Sequence, residues 1–155
     1  MSTLKTERTR VRRIPDRGHY DKKTIYPIID EALYCHVGIN HNGSPVVIPT
    51  IHARINNTLY IHGSAASRLL QSIQEDASLC VTISLIDGIV LARSAFHHSL
   101  NYRSVVVFGQ GVIVNDFQEK WDALKAVSDH LVPKRWEDVR EPNQKELDAT
   151  TVISI

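Results

Sequence analysis

The sequence predicts a mainly β protein, a small antiparallel barrel carrying a few peripheral helices. Two observations point there. Apolar runs of strand length follow one another at short intervals, punctuated by turn residues at Asn42-Gly43, Asn56-Asn57 and Asp87-Gly88. The helical periods are few and do not separate every strand from the next, as a parallel α/β sheet would need. The chain has 155 residues, is 43% hydrophobic and 23% charged, and so fits one domain with a real core.

Taken in order, residues 1–23 are polar and include the basic run Arg8 to Arg13. They read as a flexible, solvated N-terminal segment, with a nucleic-acid-binding arm as the alternative. The domain proper is expected over 24–155. In "DKKTIYPIIDEAL" the residues Ile25, Ile28, Ile29 and Leu33 share a helical face, and Pro27 suits a first helical turn. Three strands follow at 34–39, 46–55 and 58–63, joined by Asn-Gly and Asn-Asn turns into a meander. A helix is expected from about Ala65 to Gln74, facing inward through Leu69, Leu70 and Ile73. Residues 78–88 form a long strand that continues over 89–94 past an Asp-Gly turn. Residues 102–115 form a strand long enough to bend at Gly109 or Gly111. An amphipathic helix spans 117–131, through Trp121, Leu124, Val127 and Leu131. A short helix at 142–150 and a strand at 151–155 end the pattern.

Several functions are disfavoured by composition. The net charge is +1 and aromatics are 6% of residues, which argues against nucleic-acid binding. No signal peptide or membrane-spanning run is seen, so a cytoplasmic protein without membrane association is expected. The 2 cysteines, Cys35 and Cys80, lie in strand-like runs and read as reduced thiols. Among the 8 histidines, His97 and His98 are adjacent and cannot share one ligand from a strand. His36, His52 and His62 lie on three strands without a metal-ligand spacing, so no metal site is expected. A nucleophile elbow is absent, and "GQGVIV" at Gly109 falls inside a strand rather than opening a helix.

The stretch "LYIHGSAASRLLQ" (59–71) carries the strongest chemical signal. A strand ending at His62-Gly63 meets a helix beginning near Ala65, which leaves free backbone N–H groups able to hold an anion. Ser64 or Ser67 adds a hydroxyl and Arg68 a guanidinium. The plainer alternative is an N-cap serine and a surface arginine. Arg103 and Ser104, opening "YRSVVVFG", leave the same choice open between an ion pair and a cleft.

The blocks "YPIIDEALYCHVG", "VVIPTIHAR", "LYIHGSAASR", "HHSLNYRSVVVFG" and "ELDATTVISI" resemble the flavin-nucleotide-binding proteins of the pyridoxamine 5′-phosphate oxidase-like superfamily, relatives of nitroimidazole-resistance reductases. The resemblance runs over about residues 20–155. It implies a six-stranded antiparallel split barrel of Greek-key type that forms a homodimer with FMN (or FAD) at the subunit interface. It implies that the backbone of Val47, Ile48, Pro49 and Thr50 lies along the flavin ring. His62, Gly63, Ser64, Ser67 and Arg68 would hold the phosphate and ribityl end, and Arg103 and Ser104 would face the flavin from the opposing strand. His62 is the candidate proton donor. The implied activity is electron transfer from NAD(P)H to a small acceptor. The alternatives are a flavin carrier or sensor without turnover, and a haem-binding split barrel. Two departures stand out: Leu69 replaces the lysine of the oxidases' "SRK", and no C-terminal Arg-x-His segment is present. Pyridoxamine 5′-phosphate oxidation is therefore not expected.

Overall fold

The computed structural model describes residues 4–75 and 78–155. Seven antiparallel strands form one curled sheet: β1 (Tyr34–His41), β2 (Ser44–Ile55), β3 (Thr58–Ser64), β4 (Ser78–Val90), β5 (Ser99–Gln110), β6 (Val112–Ile113) and β7 (Thr150–Ser154). Their order is β5-β4-β1-β2-β3-β7-β6. The four α-helices are α1 (Lys22–Glu31), α2 (Arg68–Glu75), α3 (Phe117–Leu131) and α4 (Gln144–Ala149). The split-barrel expectation holds. The strand beyond the expected six is β6, which arises because one run breaks at Gly111: β5 pairs with β4, and β6 pairs with β7. The two ends of the sheet order are thus joined through one bent segment. The bend is closely packed: a Cβ on Gly111 would lie 3.1 Å from Ile153, Ile73 and Leu79, so these side chains would have to give way by a few tenths of an ångström.

The turns follow their residues. Asn42 and Gly43 both adopt positive φ, 52° and 76°, giving the tight β1–β2 hairpin that Asn-Gly favours. Asn56 does the same at φ 55° between β2 and β3. Two expectations are corrected. Helix α1 begins five residues before Pro27, because the Asp21 carboxylate caps it by accepting from the Thr24 amide at 2.9 Å. Pro27 therefore sits inside the helix, and Leu33 lies beyond its end, exposed. Asp87-Gly88 is no turn but a bulge within β4, where the register shifts between Ile86 and Gly88. As a result β4 and β5 run on together as a long two-stranded arm.

The main core lies on the concave face. Val37, Ile61, Ile83 and Ile153 pack there with Ile29 of α1 and Leu70 of α2. Helix α3 covers a second cluster, Tyr60, Val114, Ala123 and Val152, on the other face of β3 and β7. Residues 4–20 contain a short 3-10 turn at Pro15–Arg17, and the Arg8 guanidinium stacks 4.4 Å over the Phe108 ring. No helix among the described residues is long and apolar enough to cross a membrane.

A pair of histidines joins α1, β2 and α3. His52 Nε2 donates to the Ile29 carbonyl at 2.9 Å, and His130 Nε2 donates to the Ala32 carbonyl at 2.8 Å. Their rings lie 5.2 Å apart. His52 is 0% exposed, and its Nδ1 has no partner among the described residues. Burial pushes its pKa down, a nearby His130 adds to that, and the Ile29 bond and Asp30 oppose it. The folded state thus takes up this proton less readily than the unfolded chain. Stability from this site is complete above the ordinary imidazole value of about 6.5 and falls as pH drops below it. Urea unfolding from pH 7.5 to 5.5 should show that loss, and His52→Asn should reduce it, leaving the share of His62, which burial also pushes down; a wild-type slope kept by the variant would place the titration elsewhere.

Candidate functional site

Strand β2 changes partner halfway along. Over Ser44–Ile51 it pairs with β1, and over His52–Ile55 it pairs with β3. Beyond Ile61, β3 continues as His62-Gly63-Ser64 against β7 alone. The two strands therefore diverge, and among the described residues one edge of Val47–Thr50 has no strand partner. This is the split of the barrel. A β-strand edge with free amides and carbonyls can bind a planar heterocycle whose rim alternates donors and acceptors.

The segment after β3 forms the far end of this opening. Ser64 accepts the Ala66 amide on its hydroxyl at 3.3 Å, and its carbonyl accepts the Ser67 amide at 2.8 Å. Ser67 then caps α2, its hydroxyl accepting from the Leu70 amide at 3.4 Å. That bond uses an oxygen lone pair and leaves the hydroxyl proton free to donate. The helix thus begins at Arg68 rather than near Ala65, because the two serines spend residues 64–67 on turn bonds. Among the described residues, no acceptor is found for the amides of Arg68 and Leu69, nor a carboxylate for the exposed Arg68 side chain.

Strand alternation divides the expected site residues between two faces. Register runs Ala53↔Tyr60 and His62↔Val152, which puts His62 on the face that α3 partly covers, together with Val47, Pro49 and Ile51. Gly63 points the other way: a Cβ there would lie 3.7 Å from Ser67 Oγ. His62 and Ser67 therefore do not converge through their side chains, although both border the split. His62 Nδ1 is buried without a partner among the described residues, and burial pushes its pKa down.

Arg103 and Ser104 are separated in the same way. Arg103 pairs in register with Leu85 and reaches the concave side, where it bonds Glu31 at 2.7 and 2.9 Å and Asp87 at 2.9 to 3.1 Å. These bonds hold both carboxylates below their usual range and push the guanidinium up. Arg103 is thus an ion-pair clasp between α1 and the arm, and three strands separate β5 from β3. Ser104 lies exposed on the opposite face, across from Ser84. Within one chain neither joins the split.

The convex face shows what the sequence did not signal. Val106, Thr82, His36 and Pro49 form one row across β5, β4, β1 and β2. Phe108, Cys80, Gly38 and Val47 form the next. Val47 is 64% exposed, and Tyr34, Val106 and Ile86 are also open to solvent. No sequence spacing could reveal this face, because its rows are assembled from four strands.

The sequence profile of the family described as pyridoxamine 5′-phosphate oxidase matches residues 21–155. No curated protein matches the chain. Among solved structures it is similar to a flavocytochrome, Anf3 of Azotobacter vinelandii, at 39% identity and TM-score 0.89, covering 97% of this chain and 70% of that one. A FAD- and haem-binding protein of Mycobacterium smegmatis matches at 32% identity and TM-score 0.81, over 87% of this chain and 65% of that one. A candidate 5-nitroimidazole antibiotic resistance protein of Bacteroides thetaiotaomicron matches at 27% identity and TM-score 0.72, over 86% of this chain and 78% of that one.

Proposed function

Because the chain belongs to the pyridoxamine 5′-phosphate oxidase family, we propose that it binds a flavin nucleotide in the split between β2 and β3 and serves as a flavin-dependent oxidoreductase. The observation that carries this reading is the unpaired edge of Val47–Thr50 together with the free amides at the start of α2, where β3 has left β2. Those backbone groups fit the rim of the ring; the α2 amides, the Ser64 and Ser67 hydroxyls and Arg68 fit the phosphate end. Of the two nucleotides that the resemblance leaves open, FMN and FAD, the proposed one is FAD. One arginine and a helix start suit a diphosphate with one charge on each phosphorus better than a phosphate monoester near −2. A relative at 32% identity named for FAD agrees.

A bound flavin supplies the redox chemistry. The chain's own residues do the rest. The β2 edge orients the ring, and amides aimed at it favour the negative charge of the reduced form. His62, neutral and with its buried Nδ1 unpartnered, can accept or return a proton beside the ring end of the split. Nicotinamide nucleotides are the proposed electron donors.

The test is a spectrum of the purified chain with FAD added, then with NAD(P)H. Flavin uptake followed by bleaching supports the reading. Uptake without reduction by any donor would leave a carrier or sensor, and no uptake of FAD or FMN would overturn flavin binding itself. Arg68→Ala should weaken flavin binding by roughly 1.5–3 kcal/mol, or about 10- to 150-fold, as loss of a charge-assisted contact does. Unchanged affinity on a fluorescence titration would remove Arg68 from the site.

A second reading is haem binding. It is favoured by the exposed convex face, where an imidazole stands among Tyr34, Val47, Pro49 and Val106, and by relatives at 39% and 32% identity named as a flavocytochrome and as a FAD- and haem-binding protein. We further propose that the chain forms a homodimer through the β4–β5 arm, and that the second copy completes the flavin site.

A further inference from the structure

We infer that His36 is the axial ligand of a haem lying flat on the convex face of β1, β2 and β4. The inference rests on the haem reading just given and names the group that would carry it. A haem iron takes a neutral imidazole nitrogen with a free lone pair, and its porphyrin needs a broad apolar floor around that nitrogen.

The histidines of the chain can be sorted by those two needs. His52 and His130 each spend Nε2 as a donor to a backbone carbonyl, and their rings are turned into the protein. His41 has both nitrogens engaged, with Ser72 at 2.7 Å and Asn42 at 3.4 Å. His98 accepts the Ala92 amide on Nδ1, which puts its proton on Nε2 and leaves no lone pair for a metal. His19, His36, His62 and His97 keep both nitrogens free of hydrogen bonds among the described residues, and of these four His62 has a buried ring nitrogen, Nδ1 at the split. His19 lies in the polar N-terminal segment. His97 lies in a 3-10 turn, edge-on to Phe96 with ring centroids 5.3 Å apart, and has no sheet beneath it.

His36 stands on an open part of this floor, whereas His62 shares the face but is half-buried. A strand side chain projects roughly perpendicular to the sheet, so a plane bound to the end of its imidazole lies parallel to the face. Pro49 and Thr82 flank it across the two neighbouring strands, and Val106 extends the row. Tyr34 meets the imidazole edge-on, with centroids 5.4 Å apart, which fixes the ring's orientation. Gly38, two residues along on the same face, contributes no side chain, and its cross-strand partner Val47 is 64% exposed. The glycine leaves a clearing beside the imidazole, bounded by Val47 and Cys80, where one side of a porphyrin can settle.

The experiment is a haemin titration of the full chain, read at the Soret band, with FAD present and its fluorescence followed in the same sample. Wild type should give a saturable, shifted Soret band. His36→Ala should lose that shift and bind haem at least 10-fold more weakly, and added imidazole should restore the band; circular dichroism checks that the variant is folded. His97→Ala should bind as wild type does. A wild-type spectrum from His36→Ala, or loss of the band in His97→Ala, overturns the assignment to His36. No Soret shift in wild type overturns the haem reading as a whole, while the fluorescence reports flavin binding separately.

Discussion

Ile61→Ala is expected to cost roughly 2–5 kcal/mol of stability, the range for truncating a fully buried isoleucine. Ile61 is 1% exposed and sits in register with His52 on one side and Ile153 on the other. Removing its side chain empties the point where β2, β3 and β7 come together, and the neighbouring strands can collapse only by breaking their pairing. For a single domain of this size such a loss is a large share of the total. It should appear as a lower urea midpoint at unchanged m-value. The effect should also reach the proposed site, since Ile61 is the last β3 residue paired with β2 before the strands diverge. Flavin affinity should fall at denaturant concentrations where the variant is still folded. A midpoint within experimental error of wild type would mean that the β2–β3 junction is not under the packing load described.

Much of the fold was readable locally. Asn42-Gly43 and Asn56 needed positive φ and adopt it, and the Gly111 bend was foreseen from a strand too long to stay straight. These signals lie within a few residues of their effects. Asp87-Gly88 misled for the same reason. Asp-Gly favours a turn, but Leu85, Ile89 and their partners on β5 extend the ladder past it, and a bulge absorbs the extra residue. Pro27 misled because the Asp21 cap, six residues upstream, outweighs one missing amide.

The site was legible only in part. The strand-to-helix turn at Ser64–Arg68 announced its free amides, yet the alternation that turns His62 away from Ser67, and Arg103 away from Ser104, depends on register with β7 and β4. The partners of Arg103 were invisible because Glu31 lies 72 residues away in sequence. The row through His36 crosses four strands and has no linear signature at all.

Converting the β4–β5 arm to a charged surface, with Leu91→Asp and Phe96→Asp together, is expected to turn a homodimer into a monomer. Past the bulge Ile89, Leu91 and Phe96 are 74%, 80% and 90% exposed. A cluster of this kind on a folded chain marks an interface. The arm is also held in place. Arg103 ties its base to Glu31 of α1 and to Asp87 at the bulge. In the proposed dimer another copy covers these exposed residues, and burying each such side chain is worth about 1.5–3 kcal/mol. Losing two of them, and placing carboxylates in their stead, should raise the dissociation constant by more than about 100-fold. Sedimentation at micromolar concentration should show wild type as a dimer and the double variant as a monomer that keeps its circular dichroism. If the second copy completes the flavin site, the monomer should also bind flavin more weakly, although neither substitution lies at the split. A wild-type chain that sediments as a monomer would sink the dimer, and a monomeric variant with wild-type flavin affinity would show that each split is complete in itself.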